Sequence, residues 1–218
     1  MSTRRDFVKT TALASAGIST LPSWANAYRS SGSKDVLNVG LIGVGLRGTN
    51  HLQNLLLRDD CLVTAICDIN PERILLGQKM IAEAGQPKPL VFEKNDFDYR
   101  NLLALETVDA VIIATPWLWH TRMAVDAMRA GKYTGLEVSA ANTMEECWDL
   151  VNTHEQTGTH LMILENVCYR RDIMAILNMV REDVFGELLH FRCGYQHDLR
   201  FVKFNDGKSA YGLGVEFG

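Results

Sequence analysis

The run Gly43-Val44-Gly45-Leu46-Arg47-Gly48 constrains this chain more than any other feature, because of what stands on either side of it. Before it, Val36 to Ile42 is rich in β-formers. After it, Thr49 to Leu57 places Leu52, Leu55 and Leu56 at helical spacing. Glycines spaced in this way between a strand and a helix open a dinucleotide-binding unit. Gly43 lets the chain turn, Gly45 lets backbone amides approach a pyrophosphate, and Gly48 allows close packing of helix on strand. The helix N-terminus then offers unpaired N–H groups and a positive dipole end to the phosphates. Asp68 ends the second apolar stretch, twenty residues beyond Gly48. A carboxylate there accepts from the adenosine ribose hydroxyls and repels a 2′-phosphate, which favours NAD over NADP. Asp68 also suits a simple turn before Asn70-Pro71, a reading that leaves the spacing unexplained.

The pattern continues as alternating units. Leu62 to Cys67 reads as a strand, and Pro71 starts a helix running through Met80. Leu90 to Phe92 is a short strand. Val108 to Ala114 is an apolar run of the kind buried on both faces of a parallel sheet. A helix follows over Met123 to Ala130, then a strand over Tyr133 to Val138. Thr143 with Glu146 forms a capping box for a helix reaching His154. His160 to Glu165 is a further strand, and Asp172 to Arg181 is amphipathic. This order implies a doubly wound α/β Rossmann domain over residues 36–186. Glu187 to Gln196 reads as a long strand with no helix after it. Residues 187–218 are therefore expected to begin a second, α+β domain with a large open sheet, cut short at Gly218.

Residues 1–27 differ in kind. Thr3-Arg4-Arg5-Asp6-Phe7-Val8-Lys9 resembles a twin-arginine export signal, followed by a weakly apolar stretch and the small-x-small pattern Ala25-Asn26-Ala27. The mature chain is expected to start near Tyr28, with a Ser/Gly-rich linker over 28–35. No later stretch reaches the ~18 apolar residues that span a bilayer, so a soluble, periplasmic or cell-envelope product is expected. The net charge of −4 gives no basic footprint for nucleic acid. Five cysteines without metal-ligand spacing (Cys61, Cys67, Cys147, Cys168 and Cys193) read as small buried core residues, and no metal site is expected.

Ligands of such sheets bind at the carboxyl ends of the strands. Thr115-Pro116-Trp117-Leu118-Trp119-His120 occupies one such end, where two tryptophans are costly to expose without a partner; packing beneath a second domain would serve them equally. Glu137-Val138-Ser139 and Glu165-Asn166 occupy two more, making Glu137 and Asn166 candidates for the nicotinamide side. Tyr195-Gln196-His197-Asp198 is a dense polar cluster, equally readable as a solvated turn.

Several longer runs carry a resemblance. Glu137-Val138-Ser139-Ala140-Ala141, Glu145-Glu146-Cys147-Trp148, Glu165 to Asp172 and Gly194 to Arg200 closely resemble glycoside hydrolase family 109, a branch of the glucose–fructose oxidoreductase and inositol dehydrogenase superfamily. The likeness runs from about Asn38 to the last residue. Superfamily dehydrogenases carry Glu-Lys-Pro at this strand end, whose lysine moves a proton; Glu137-Val138-Ser139 lacks it. The resemblance implies an α-N-acetylgalactosaminidase or related exo-glycosidase that uses NAD without consuming it. Hydride leaves sugar C3, the C2 proton is lost, the aglycone departs from C1, water adds and hydride returns. It further implies cofactor contacts at Arg47, Gly48, Asp68, Trp117, Leu118, Trp119, His120, Glu137, Val138 and Asn166. Tyr195 would contact substrate and, with His197, would be catalytic. A Tyr-Pro-Thr-His segment and the principal base are expected beyond Gly218. The partners implied are a glycan ending in an N-acetylhexosamine and the twin-arginine machinery, and a homo-oligomer is compatible with the chain. Twin-arginine transport moves folded proteins, so an exported enzyme could carry its cofactor across. An exported sugar oxidoreductase and a non-catalytic, NAD-retaining sugar-binding protein remain open alternatives.

Overall fold

A computed structural model describes residues 36–194, Gln196 and Asp198. The expected export signal, the linker, Tyr195, His197 and most of the expected second domain lie outside the described residues. Six strands, β1 (Leu37–Ile42), β2 (Cys61–Cys67), β3 (Leu90–Phe92), β4 (Ala110–Ile113), β5 (Tyr133–Leu136) and β6 (Leu161–Ile163), form one parallel sheet in the order β3-β2-β1-β4-β5-β6. The order reverses between β1 and β4, so a crevice opens at their carboxyl ends.

Side chains alternate across the sheet, and each face has its own core. Leu41, Val63 and Ile66 pack with Leu52 of helix α1 (Leu46–Leu56) and with Ile74 and Ile81 of α2 (Pro71–Glu83). Ile42, Cys67, Val111 and Ile113 point the other way. They meet Tyr99 and Leu102 of α3 (Tyr99–Leu103), Met123 and Met128 of α4 (Trp117–Arg129), and Leu150 of α5 (Met144–Thr157). Each of these large apolar side chains contributes roughly 1.5–3 kcal/mol by leaving water.

Local chemistry sets the helix ends. Asn70 accepts from Glu72 N at 2.9 Å ahead of Pro71. The expected capping box is present: Glu146 N donates to Thr143 Oγ1 at 3.2 Å, and Thr143 N donates back to the Glu146 carboxylate at 3.3 Å. Helix α5 ends where Gly158 takes a φ of 67°, a left-handed conformation that glycine adopts without strain.

Three expectations are corrected. Helix α4 starts at Trp117, not Met123, so the tryptophan motif forms its first turn. Only Cys61 and Cys67 are buried; Cys147, Cys168 and Cys193 are exposed, because no described element packs over them. Residues 187–194 form no strand, since an apolar run becomes a strand only where a neighbour completes its hydrogen bonds, and none does so among the described residues. The amphipathic segment does form helix α6 (Arg171–Arg181), yet none of its residues is buried. Ile173, Ile176, Leu177 and Val180 remain 38–44% exposed. An open apolar groove of about 520 Å³ lies between α5 and β6; none of the expected cofactor contacts lines it.

Candidate cofactor site

The hydrogen-bond ladder runs past the strand ends and aligns the residues beyond them. Gly43 N donates to Cys67 O at 2.8 Å, and Ala114 N to Ile42 O at 2.8 Å. Glu137 N donates to Ile113 O at 3.0 Å, and Leu164 N to Leu136 O at 2.7 Å. Gly43, Thr115, Glu137 and Asn166 are thereby brought to one edge of the sheet from positions far apart in the chain.

The glycine turn is sterically tight except at one point. Gly43 has a φ of 89°, and a Cβ there would lie 2.6 Å from Ala114 O. A Cβ on Gly48 would lie 1.9 Å from Gly43 O, so the close approach is of helix α1 onto the turn's own backbone. A Cβ on Gly45 would meet nothing within 4 Å. Gly45 is also the N-cap of α1; it makes no side-chain bond to the helix, and the first turn carries no acidic residue. Helices α2 and α5 are capped by side chains, whereas α3, α4 and α6, like α1, are not. The open space over Gly45 lets an external anion reach the backbone amides at the positive end of α1. This cradle fits the pyrophosphate of a dinucleotide.

Asp68 is fixed by two backbone donors, Val44 N at 2.7 Å and Asn70 N at 2.9 Å. Asp68 therefore serves the turn, and its place at the carboxyl end of β2 keeps it a candidate for the ribose contact.

Across the switch point, Glu137 is only 5% exposed. His51 Nε2 lies 2.6 Å from its Oε1, and Arg47 Nε 3.4 Å from the same oxygen. Arg47 Nη2 donates to Asn166 Oδ1 at 3.2 Å. Arg47, Glu137 and Asn166 were expected from the sequence. His51 was not, although its place four residues after Arg47 puts both on one face of α1.

The first turn of α4 divides its residues. Trp117 and Leu118 are exposed, at 46% and 79%. Trp119 packs edge-on against Phe97 with ring centroids 5.4 Å apart, and the Arg122 guanidinium lies over it at 5.2 Å. His120 is 1% exposed, with its ring nitrogens each 2.7 Å from a carbonyl oxygen, those of Ser139 and Thr115. Thr121 Oγ1 donates to Ala140 O at 3.0 Å. The His120 side chain thus ties the segment after β5 to the start of α4. Val138 is partly buried beside Glu137.

Residues 37–164 match the oxidoreductase family with an NAD-binding Rossmann fold, and residues 169–218 match the glycosyl hydrolase 109 C-terminal domain. The chain belongs to this NAD-binding oxidoreductase family. A glycosyl hydrolase family 109 protein of Parabacteroides distasonis is 49% identical over 94% of this chain and 47% of its own length. An alpha-N-acetylgalactosaminidase of Tannerella forsythia is 54% identical over 80% of this chain and 38% of its own. The chain thus spans about half or less of the length of these curated relatives. Among solved structures, a putative myo-inositol dehydrogenase of Sinorhizobium meliloti is similar with a TM-score of 0.60 at 22% identity, over 70% of this chain and 43% of that one. That likeness shows the fold. NAD is the cofactor of the domain, and the open, uncapped cradle at Gly45 fits it.

Proposed function

We propose that the protein is an exported exo-glycosidase that releases terminal N-acetylgalactosamine, or a related N-acetylhexosamine, while keeping its NAD. The observation that carries this reading is the continuity of an NAD-binding domain with residues 169–218, which match a glycosyl hydrolase C-terminal domain. The name of the Tannerella forsythia relative supplies the sugar. Glu137-Val138-Ser139 supports it further, since the lysine that serves dehydrogenases at this point is absent.

Bound NAD supplies a reversible hydride acceptor for a sugar carbinol. Backbone amides of α1 at Gly45 to Arg47 would hold its pyrophosphate, Asp68 the adenosine ribose, and Glu137 with Arg47 and Asn166 the opposite half. Trp117 and Leu118, exposed on the first turn of α4, would cover it. Tyr195 and His197 are assigned to the sugar once C3 is oxidised, where a base takes the acidified C2 proton and the aglycone leaves C1. Addition of water at C1 and return of the proton to C2 would leave the cofactor unchanged at the end, so the sum would be hydrolysis.

The test is cleavage of an aryl N-acetylgalactosaminide in deuterated water by the whole protein. Deuterium at C2 of the released sugar with no net NADH is expected; cleavage without exchange contradicts the mechanism. NADH accumulating with free sugar would establish the oxidoreductase reading instead. Export is tested separately by replacing Arg4 and Arg5 with lysine, which should retain the protein in the cytoplasm.

A further inference from the structure

His51 has no part in the glycine fingerprint, yet it is the nearest partner of the buried carboxylate at the end of β5. Its Nε2 lies 2.6 Å from Glu137 Oε1, and the two side chains are 18% and 6% exposed. An ionised carboxylate only accepts, so the ring donates from Nε2. Arg47 Nε approaches the same oxygen at 3.4 Å. Glu137 Oε2 accepts from Val138 N at 3.3 Å, a long bond that leaves this oxygen with capacity for a further donor. The carboxylate is therefore held by one oxygen from helix α1 and retains the other.

A dinucleotide lying across the switch point, with its pyrophosphate on α1, sends one half toward β2 and the other toward β4 and β5. Asp68 stands at the β2 end and Glu137 at the β5 end, so Glu137 belongs to the nicotinamide half. An oxidised nicotinamide ring carries a positive charge and a reduced one does not. A buried carboxylate beside it favours the oxidised form, more strongly the closer and more fixed it is.

We propose that His51 is a positioning residue for this half-site: by gripping Oε1 it holds Glu137 in place, and so sets the preference for NAD+ over NADH. The inference rests on NAD binding alone and stands or falls independently of the glycosidase reading.

The experiment measures dissociation constants for NAD+ and NADH by quenching of tryptophan fluorescence. His51→Leu keeps the bulk but loses the donor; about a tenfold loss in NAD+ affinity is expected, with a smaller loss for NADH. His51→Gln, whose amide nitrogen reaches a similar point, should restore most of the preference, and the shorter His51→Asn should not. In a Glu137→Gln background, His51→Leu should leave the NAD+/NADH ratio unchanged, because no charge remains to be held. Equal loss of both nucleotides, or the same shift in ratio in the Glu137→Gln background, would show that His51 only supports the fold and would overturn the proposal. Should His51→Leu fail to fold, the Gln and Asn variants decide alone. If the unaltered protein bound neither nucleotide, the cofactor site itself would be refuted.

Discussion

Between Ile42 and Gly48 the crevice is made by backbone packed on backbone, Gly48 on Gly43 O and Gly43 on Ala114 O, and the fit is steric. Around Glu137 it is made by Arg47 and His51 from α1, a carboxylate beyond β5 and Asn166 beyond β6, and the fit is electrostatic. The first region tolerates no added atom at Gly48, where a Cβ would lie 1.9 Å from Gly43 O. The second is assembled across 119 residues from Arg47 to Asn166, and depends on the sheet being formed first. Folding and cofactor binding should therefore separate under mutation: changes at Gly43 or Gly48 damage both, whereas variants of the assembled cluster damage binding alone.

The sharpest challenge is Gly48→Ala. Its Cβ meets backbone that cannot yield without opening the turn, so a stability loss of about 1–3 kcal/mol or more is expected, with loss of NAD binding. Gly45→Ala meets nothing within 4 Å and should melt as the parent does while binding NAD more weakly. Equal melting temperatures for the two variants would break the steric account of the turn.

Next comes Glu137→Gln. It keeps the shape and removes the charge, and should weaken NAD+ binding about tenfold, the worth of a charge-assisted contact, with little change in melting. A large drop in melting temperature would mean that the cluster is a folding element instead.

A smaller effect is expected of Thr143→Ala, which removes the capping-box oxygen of α5 and none of the expected cofactor contacts. It should cost about 1 kcal/mol of stability and leave NAD affinity unaltered.

The least effect at neutral pH is expected from thiol modification. Cys147, Cys168 and Cys193 should react readily, and Cys61 and Cys67 only on unfolding. Burial pushes the Cys67 thiol up to about 12. Its folded form keeps the proton where an unfolded chain has lost it. Cys67 thus lowers stability as pH rises from the ordinary thiol range of about 8.5 toward 12, and does nothing below it. A pH-independent melting temperature over that range would contradict the burial of this thiol.

How much of this was legible in the sequence follows the same division. The glycine turn, Asp68 and the Thr143–Glu146 capping box are local patterns with a fixed residue-to-residue geometry, and they stand where the sequence placed them. Glu137 and Asn166 were legible as strand ends, but their partner His51 was not, because the contact exists only once the sheet brings the end of β5 within reach of α1. Helix α4 begins ahead of the apolar run from Met123 because Pro116 introduces it, so the tryptophans fall in its first turn. Helix α3 has five residues, too short for a periodic signal, yet it buries Tyr99 and Leu102. The exposed cysteines show the same limit: residue type argues for burial, but the covering element must exist. So does the absent strand over 187–194, whose apolar character needed a partner to pair with.

The most direct test of the crevice is equilibrium binding of NAD+ and NADP+ side by side. Asp68 is clamped by Val44 N and Asn70 N at the end of β2, so a 2′-phosphate would meet a charge that cannot swing away. The account predicts NAD+ binding tighter by about a hundredfold, the scale of a like-charge clash of several kcal/mol. Equal affinity, or tighter NADP+, would contradict it.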